Sequence, residues 1–463
     1  MELKLHTHRL ATRLLITALT GLILLSLILV QIQGYPWISA EQKPQHKVSS
    51  STVPERSSFQ ADRGSEVFWD ARPSIGTTVN VTSIISGCAG SEFEGWRNTS
   101  RCLKLLRDEK SYHLTTDSKS STCGDFEACK YHTYWRGPLT WRVSFTIKSF
   151  LYTQNLNCSQ LHLWLDADFN PAALQDAMDS PVLKPFLPLV QSNLLVLRSW
   201  TFPRSIPILD EYCEGRHSPD GMLHFDLHHI PRGPVAVSDS VRFIVLHLEG
   251  GFYMDMDTML LRDLRPLLIT PDLAFAERWS AHSGDGEYNT AYLRLQPQSR
   301  LSSMIIQRAA KMGMNFHPRV LGRMLAKSGH GSDLVMFETA LFDPLWSQFD
   351  KDNTGSCCVP CLTDFSQFFQ QKQVKDEWIS LDESDRLYTS ETQSNIHVIS
   401  NNRTLSNFYR GAYAHHIHNQ WERSIVPGSW AWVADQTYNQ FLLNERPNLY
   451  GEEWARSKIS FEH

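Results

Sequence analysis

The chain has no surplus of basic residues: 44 Lys and Arg stand against 49 Asp and Glu, a formal charge of -5. That removes any overall electrostatic reason for a nucleic-acid partner, and none is expected; an anionic ligand must be met by a local device. Cysteine is sparse, with nine residues in 463, so a small disulfide-stapled scaffold is excluded. No internal repeat is evident. With 42% hydrophobic and 20% charged residues, the composition also excludes a disordered or collagen-like chain and leaves ample material for a large core.

Apolar residues are unevenly spread. Leu14 to Val30 is a 17-residue run without a charge, spanning roughly 26 Å as a helix at about 1.5 Å per residue. Lys4, Arg9 and Arg13 precede it and the next charge is Glu41, an asymmetry that puts the N-terminus in the cytosol and the body on the lumenal side. The other reading is a cleaved signal peptide ending near Ile38-Ser39-Ala40. From Gln31 to about Asp70 the chain turns to Ser, Pro, Gln and mixed charge, which reads as a flexible stem.

Two features agree with a lumenal body. Asn80, Asn98, Asn157 and Asn402 stand in N-x-[ST] sequons, and all nine cysteines (88, 102, 123, 129, 158, 213, 357, 358 and 361) follow the apolar run. Cys357-Cys358-x-x-Cys361 lacks a second clean pair, so disulfides are preferred to zinc. An odd count leaves at least one thiol free or paired between chains.

Beyond the stem the pattern alternates in the α/β manner. A helix is expected around Leu139 to Gln154, and a short strand over Leu161 to Leu165 ends at Asp166-Ala167-Asp168. Another strand is expected over Leu194 to Trp200. Pro234 to Leu248 carries Val237, Val241, Ile244, Val245 and Leu248 at helical spacing, with Ser238 or Ser240 available near its start. That helix stops at Gly250-Gly251, and Phe252 to Met256 reads as a buried strand, with helices or loops to follow. Strand after helix after strand implies a mainly parallel sheet, whose ligands gather outside the strands' carboxyl ends.

The chemistry concentrates in Ser238 to Leu261. Asp255 and Asp257 are two apart, so on an extended segment both carboxylates face one side and can hold a hard cation. Asp239 and Arg242 are three apart on one face of the preceding helix, and the double glycine brings that helix onto the acidic strand. Singly, these are a surface ion pair and a helix stop. Jointly they leave unexplained why both acids should follow a buried strand. Asp166 and Asp168 are a rival acidic pair, but they come before the helix and the double glycine. With His224, His228 and His229 nearby they would suit a metal-dependent phosphoesterase, although these histidines fit a solvated loop better.

The order S-D-x-x-R, then G-G-x-Y-x-D-x-D, resembles the signature of glycosyltransferases with a sugar-binding D-x-D region, as in family 32. That group includes an initiation-specific α-1,6-mannosyltransferase and is related to lumenal α-1,4-galactosyl- and α-1,4-N-acetylglucosaminyltransferases. The match covers about 25 residues. The resemblance implies an α/β GT-A fold, Rossmann-like and mainly parallel, and a nucleotide-sugar donor transferred with retention. It implies that Asp239 and Arg242 contact the donor sugar, Tyr253 shapes the donor pocket, and Asp255 with Asp257 holds Mn2+ or Mg2+ and the diphosphate. Asp239, Arg242 and Asp257 are the expected catalytic set.

Three further segments extend the likeness. Ala412 to Trp421 (AYAHHIHNQW) resembles a late His-rich segment ending in tryptophan, which makes His415 or His416 a further metal ligand and Trp421 a donor contact. Of the two, His415 fits the spacing to Trp421 slightly better, and a structural or phosphate-binding histidine is the alternative to a metal ligand. Asn289 resembles an asparagine that bonds donor or acceptor hydroxyls, with a capping or turn asparagine as the alternative. Gly331-Ser332-Asp333 resembles a degraded Gly-Pro loop and is given no role.

The organisation so implied is a cytoplasmic tail over 1–13, a transmembrane signal anchor over 14–33, a stem over 34–75 and a catalytic domain over 76–463. The expected protein is a single-pass type II membrane glycosyltransferase of the Golgi or endoplasmic reticulum. It takes mannose, galactose or N-acetylglucosamine to a glycan, glycoprotein or glycolipid acceptor, mannose being favoured. A noncatalytic lumenal sugar-binding relative is the alternative.

Overall fold

The computed structural model describes residues 78–90, 101–103, 105–106, 113–114, 128–209, 220–279, 287–346, 362, 364–370, 409, 411–420, 422–427, 429–448 and 452–454. The apolar run, the stem, Trp421, two of the sequons and the Cys357-Cys358-x-x-Cys361 cluster lie outside these residues. No helix among the described residues is long and apolar enough to cross a membrane.

The central sheet has seven strands. In chain order they are β1 (Cys129–Trp135), β2 (Ser159–Asp166), β3 (Leu195–Trp200), β4 (Gly251–Met254), β6 (Phe275–Arg278), β7 (Tyr288–Leu295) and β8 (Val335–Phe337). A separate ribbon pairs β5 (Thr258–Leu260) with β9 (Ala414–His416). Across the sheet the order is β8-β6-β7-β4-β1-β2-β3. All neighbours are parallel except β7, which runs antiparallel to both β6 and β4.

Chain order reverses at the middle of this sheet. From β1 the chain builds outward through β2 and β3, then returns through a helix to place β4 on β1's other side. Such a switch point opens a crevice at the carboxyl ends of the two strands. The antiparallel β7 then presents its first residues at that same end. Tyr292 pairs with Met254 at the end of β4, so Tyr288 to Ala291 run on beyond it.

Helices cover both faces. On one lie α1 (Trp141–Thr153) and α5 (Trp430–Leu442), which bury Phe145, Phe150, Tyr438 and Phe441 with Phe252, Met254 and Tyr292 of the sheet. On the other lie α2 (Pro234–Glu249), α3 (Arg300–Ala310) and α4 (Pro318–Ser328), which pack Phe243, Ile244 and Ile305 against Tyr253, Ala276 and Leu293. The alternation along Phe252, Tyr253 and Met254 sends successive side chains to opposite layers, as a two-sided buried strand must.

The expected helix at Pro234 starts earlier than its serines suggest. Gly233, at φ 94°, stands before it and Pro234 occupies the first turn, where its missing N–H costs nothing. Ser240 lies inside the helix and donates to the Ala236 carbonyl at 2.9 Å. The helix ends as expected at Gly250 and Gly251, at φ 68° and 91°. A Cβ on Gly251 would lie 2.5 Å from the Lys130 carbonyl oxygen, so only glycine lets β4 close on β1.

Two expectations are corrected. The segment after Met256 contains strands as well as helices and loops: β5 to β9 all follow it. β7 reads YNTAYLRL and is buried along its whole length, so neither alternation nor a continuous apolar run marks it. The strand carrying the acids also ends at Met254, so Asp255 and Asp257 stand in the turn joining β4 to β5.

The expected disulfides are present among the described residues. Cys88 and Cys102 form a disulfide and Cys158 is disulfide-bonded. Cys129 is a free, half-buried thiol, and burial pushes its pKa up to about 11.

Candidate active site

The turn after β4 delivers both carboxylates to one place. The Asp255 N–H donates to the Ala291 carbonyl at 2.9 Å, and the Ile417 N–H donates to the Asp257 carbonyl at 2.8 Å, so β7 and the strand end of β9 clamp the turn from two sides. One ligand atom from each of Asp255, Asp257 and His416 lies within 4.8 Å of the others. They form one wall of a cavity of about 890 Å3, which also takes in Tyr134 to Arg136 at the end of β1. The site therefore occupies the crevice that the strand order creates.

Arg242 organises the first acid. Its Nη2 lies 3.0 Å from Asp255 Oδ1 and 3.1 Å from Asp239 Oδ1, and its Nη1 donates to Thr290 Oγ1 at 2.7 Å. The guanidinium also sits 5.3 Å from the centre of the Tyr253 ring. Tyr253 is fully buried beneath it, with its hydroxyl 3.4 Å from Ser238 Oγ. Tyr253 is thus a floor under Arg242 and is absent from the cavity wall, whereas Asp239 and Arg242 line it.

The two acids are electrostatically unlike. Burial works to raise both carboxyl pKa values, and at Asp255 it outweighs the opposing pull of Arg242. At Asp257 the positive His416, through its charge and a hydrogen bond, overcomes burial and holds the group below the ordinary carboxylate value. His416 Nε2 lies 3.1 Å from Asp257 Oδ1. Burial would depress His416, but Asp257, Asp343 and Asp255 hold its pKa up at about 9.

Of the two candidate histidines, the structure brings only His416 to the acids. On β9 neighbouring side chains point to opposite sides, and pairing His416 with Thr258 sets which side faces the turn. His415 is instead fully buried beside Phe368 and Tyr409, with ring centroids 5.1 and 5.5 Å away. Its expected place as a metal ligand is corrected to that packing position.

Asn289 lines the cavity, but its amide is already engaged: Nδ2 donates to Glu277 Oε2 at 2.9 Å and Oδ1 accepts from the Ala291 N–H at 3.1 Å. It stands on β7, and its bond to the N–H two residues on is the local capping contact of the alternative reading. The rival acids are elsewhere. Asp166 accepts from the Tyr134 hydroxyl at 2.6 Å and from the Phe169 N–H at 3.0 Å, while Asp168 accepts from the Phe202 N–H at 2.7 Å. Both hold loops. His224, His228 and His229 pair with Asp220 or Asp226 around a surface turn. Asp333 pairs with His330 at 2.5 Å beside the end of α4.

Several site residues escaped the sequence reading. Thr290, Glu277, Asp343 and His418 are polar or charged groups in or behind the cavity, and Trp279, 42% exposed, stands on its wall. His418 had a signal: in an extended H-x-H it shares a side with His416. The others had none.

Residues 214–274 match the family model described as the glycosyltransferase sugar-binding region containing DXD motif. Among solved structures, the chain is similar to the galactosyltransferase LgtC in complex with donor and acceptor sugar analogs. There the identity is 12%, with 71% of this chain and 100% of that chain covered and a TM-score of 0.32. It is similar to the glycosyltransferase GlyE of Streptococcus pneumoniae at 11% identity, with 68% and 64% of the two chains covered and a TM-score of 0.33. A third likeness is to the PaToxG glycosyltransferase, at 11% identity, 51% and 79% coverage and a TM-score of 0.28. No curated protein matches the sequence. The matched region runs from ahead of α2 through the acidic turn, so that stretch of the chain, with Asp239, Arg242, Asp255 and Asp257 in it, is similar to the sugar-binding region of glycosyltransferases containing a DXD motif.

Proposed function

We propose that the chain is a divalent-metal-dependent, retaining glycosyltransferase that moves a hexose from a nucleoside diphosphate donor to a hydroxyl of a glycan or glycolipid. The observation that carries this reading is the convergence of Asp255, Asp257 and His416 on a cavity large enough for a nucleotide sugar. Two carboxylates and an imidazole are a donor set that fits Mn2+, with Mg2+ as the harder substitute. When bound there, such an ion supplies positive charge against a departing diphosphate.

The chain's own groups do the remaining work. Arg242 keeps Asp255 aimed at the cavity and holds Asp239 beside it. Asp239 is placed to accept hydrogen bonds from sugar hydroxyls, and the Trp279 indole offers a face on which a sugar ring can stack. Glu277 fixes Asn289, whose backbone and side chain shape the wall. Trp421 keeps its proposed donor contact from the family resemblance alone. No side chain is assigned as nucleophile.

The residue 14–33 anchor and the lumenal disposition of the body complete the reading: a type II protein of the Golgi or endoplasmic reticulum. Mannose is the favoured hexose, with galactose and N-acetylglucosamine as alternatives. The test is Mn2+-dependent hydrolysis of GDP-mannose, UDP-galactose and UDP-N-acetylglucosamine by the full-length chain, with an Asp255→Asn, Asp257→Asn double variant as control. Turnover of one donor that the double variant lacks supports the reading and names the sugar. If the folded chain neither binds nor hydrolyses any donor with metal, a noncatalytic sugar-binding relative takes its place.

A further inference from the structure

His416 belongs to two clusters. Beyond the pair of acids, a ligand atom of His416 also lies within 4.8 Å of one from Asp343 and one from His418. Asp343 is 0% exposed, and its Oδ2 is hydrogen-bonded to His418 Nε2. The His418 ring stacks on His416, with centroids 3.9 Å apart and planes 25° apart. Among the described residues, Asp343 Oδ1 and His416 Nδ1 have no hydrogen-bond partner, a costly arrangement for groups so deeply buried. His416 and His418 both reach the cavity, so the cluster is open on one side.

The chemistry of this set differs from its neighbour's. Two carboxylates with one imidazole suit a hard, oxygen-seeking ion. One carboxylate with two imidazoles and an open fourth position suits a borderline ion such as Zn2+, which binds nitrogen well and accepts four ligands. We propose that Asp343, His416 and His418 form a second, nitrogen-rich cation site selective for Zn2+-class ions. It shares His416 with the oxygen-rich set, so a bound Zn2+ withdraws that imidazole and acts against the activity proposed above. The binding claim stands on the cluster itself; only the antagonism rests on the transferase reading.

The experiment uses the detergent-solubilised full-length chain with Co2+ as a spectroscopic probe, Zn2+ as its competitor and Mn2+ titrated separately. Co2+ at this site gives the intense visible bands of a low-coordinate nitrogen and oxygen environment without thiolate charge transfer, and Zn2+ displaces it. His418→Ala and Asp343→Asn each weaken Co2+ binding by about tenfold or more. His418→Ala leaves Mn2+ affinity in place, which also shows that the variant is folded, whereas Asp257→Asn weakens Mn2+ and spares the Co2+ bands. Co2+ affinity equal to wild type in both His418→Ala and Asp343→Asn overturns the proposal. So do bands of thiolate character that these variants leave untouched, and so does a parallel loss of Mn2+ in His418→Ala, which would assign His418 to the first site. Failure of donor hydrolysis would leave the Co2+ result standing, so the two readings fail separately.

Discussion

Arg242 holds Asp255 across 13 residues of chain, with Nη2 3.0 Å from one carboxylate oxygen and 3.3 Å from the other. The contact joins α2 to the turn beyond β4 and sets the first acid's position before any ligand arrives. Arg242 is almost wholly buried and also serves Asp239 and Thr290. Arg242→Ala therefore leaves buried carboxylates uncompensated and is expected to cost about 3–5 kcal/mol of stability. Arg242→Lys should recover only part of this, since one ammonium cannot span three partners placed for a planar fork. Thermal melting of the metal-free protein, with Mn2+ titration of whatever variant folds, checks both statements. An Arg242→Lys protein as stable and as Mn2+-avid as wild type would refute them.

The second acid makes a prediction in pH. The raised His416 pKa contributes stability to the metal-free fold that is fully present below the ordinary histidine value of 6.5 and is lost as pH rises through about 9. Asp257, held low, contributes stability present above the ordinary 3.8 and lost as pH falls through its depressed value. The metal-free pair is thus strongest between 3.8 and 6.5. Since the imidazole must lose its proton to become a ligand, Mn2+ binding near pH 7 should release about one proton, and affinity should climb about tenfold per pH unit towards pH 9. Calorimetry in buffers of different ionisation enthalpy counts that proton directly.

Glu277 offers a stabilising substitution. Burial first, and then the neighbouring Asp343, push its carboxyl well above the ordinary value, against the opposing Asn289 hydrogen bond. A raised acid pKa means that the fold prefers the proton, so stability falls as pH rises above the ordinary 4.5. Glu277→Gln keeps an acceptor for Asn289 and removes that cost. A gain on the order of 1–2 kcal/mol at neutral pH is expected, with a flatter pH profile of melting. Glu277→Ala, which strands the Asn289 amide, should instead lose about 1–3 kcal/mol.

Gly251 tests the seam between β4 and β1. Its φ of 91° and the Lys130 carbonyl 2.5 Å from any Cβ leave no room for a side chain. Gly251→Ala should cost about 2–4 kcal/mol and displace the acidic turn, lowering Mn2+ affinity although no ligand is altered. The comparison with Gly313→Ala, another positive-φ glycine but with open space around its Cβ, separates backbone strain from the clash.

What was legible in the sequence was local. The helix from Pro234, its glycine stop and the acids beyond lie within 25 residues, so spacing alone brought Asp239, Arg242, Asp255 and Asp257 towards one another. β7 was not legible, because a strand buried on both faces beside antiparallel neighbours has neither alternation nor an apolar run to show. The choice between His415 and His416 depended on the phase of a three-residue strand, which its pairing with β5, some 155 residues earlier, decides. Asp343 and Glu277 acquire meaning only through partners that tertiary packing supplies. Asp343 meets His418 across 75 residues of chain.

The ribbon of β5 and β9 gives the molecule an order of assembly. Thr258 can pair with His416 only after some 155 further residues have been made, and closing so long a loop is among the slower steps a fold can require. A nascent chain therefore carries Asp255 and Asp257 through that stretch of synthesis without His416 beside them. A product truncated before residue 414 would keep all seven strands of the central sheet and lack the imidazole that stands against Asp257.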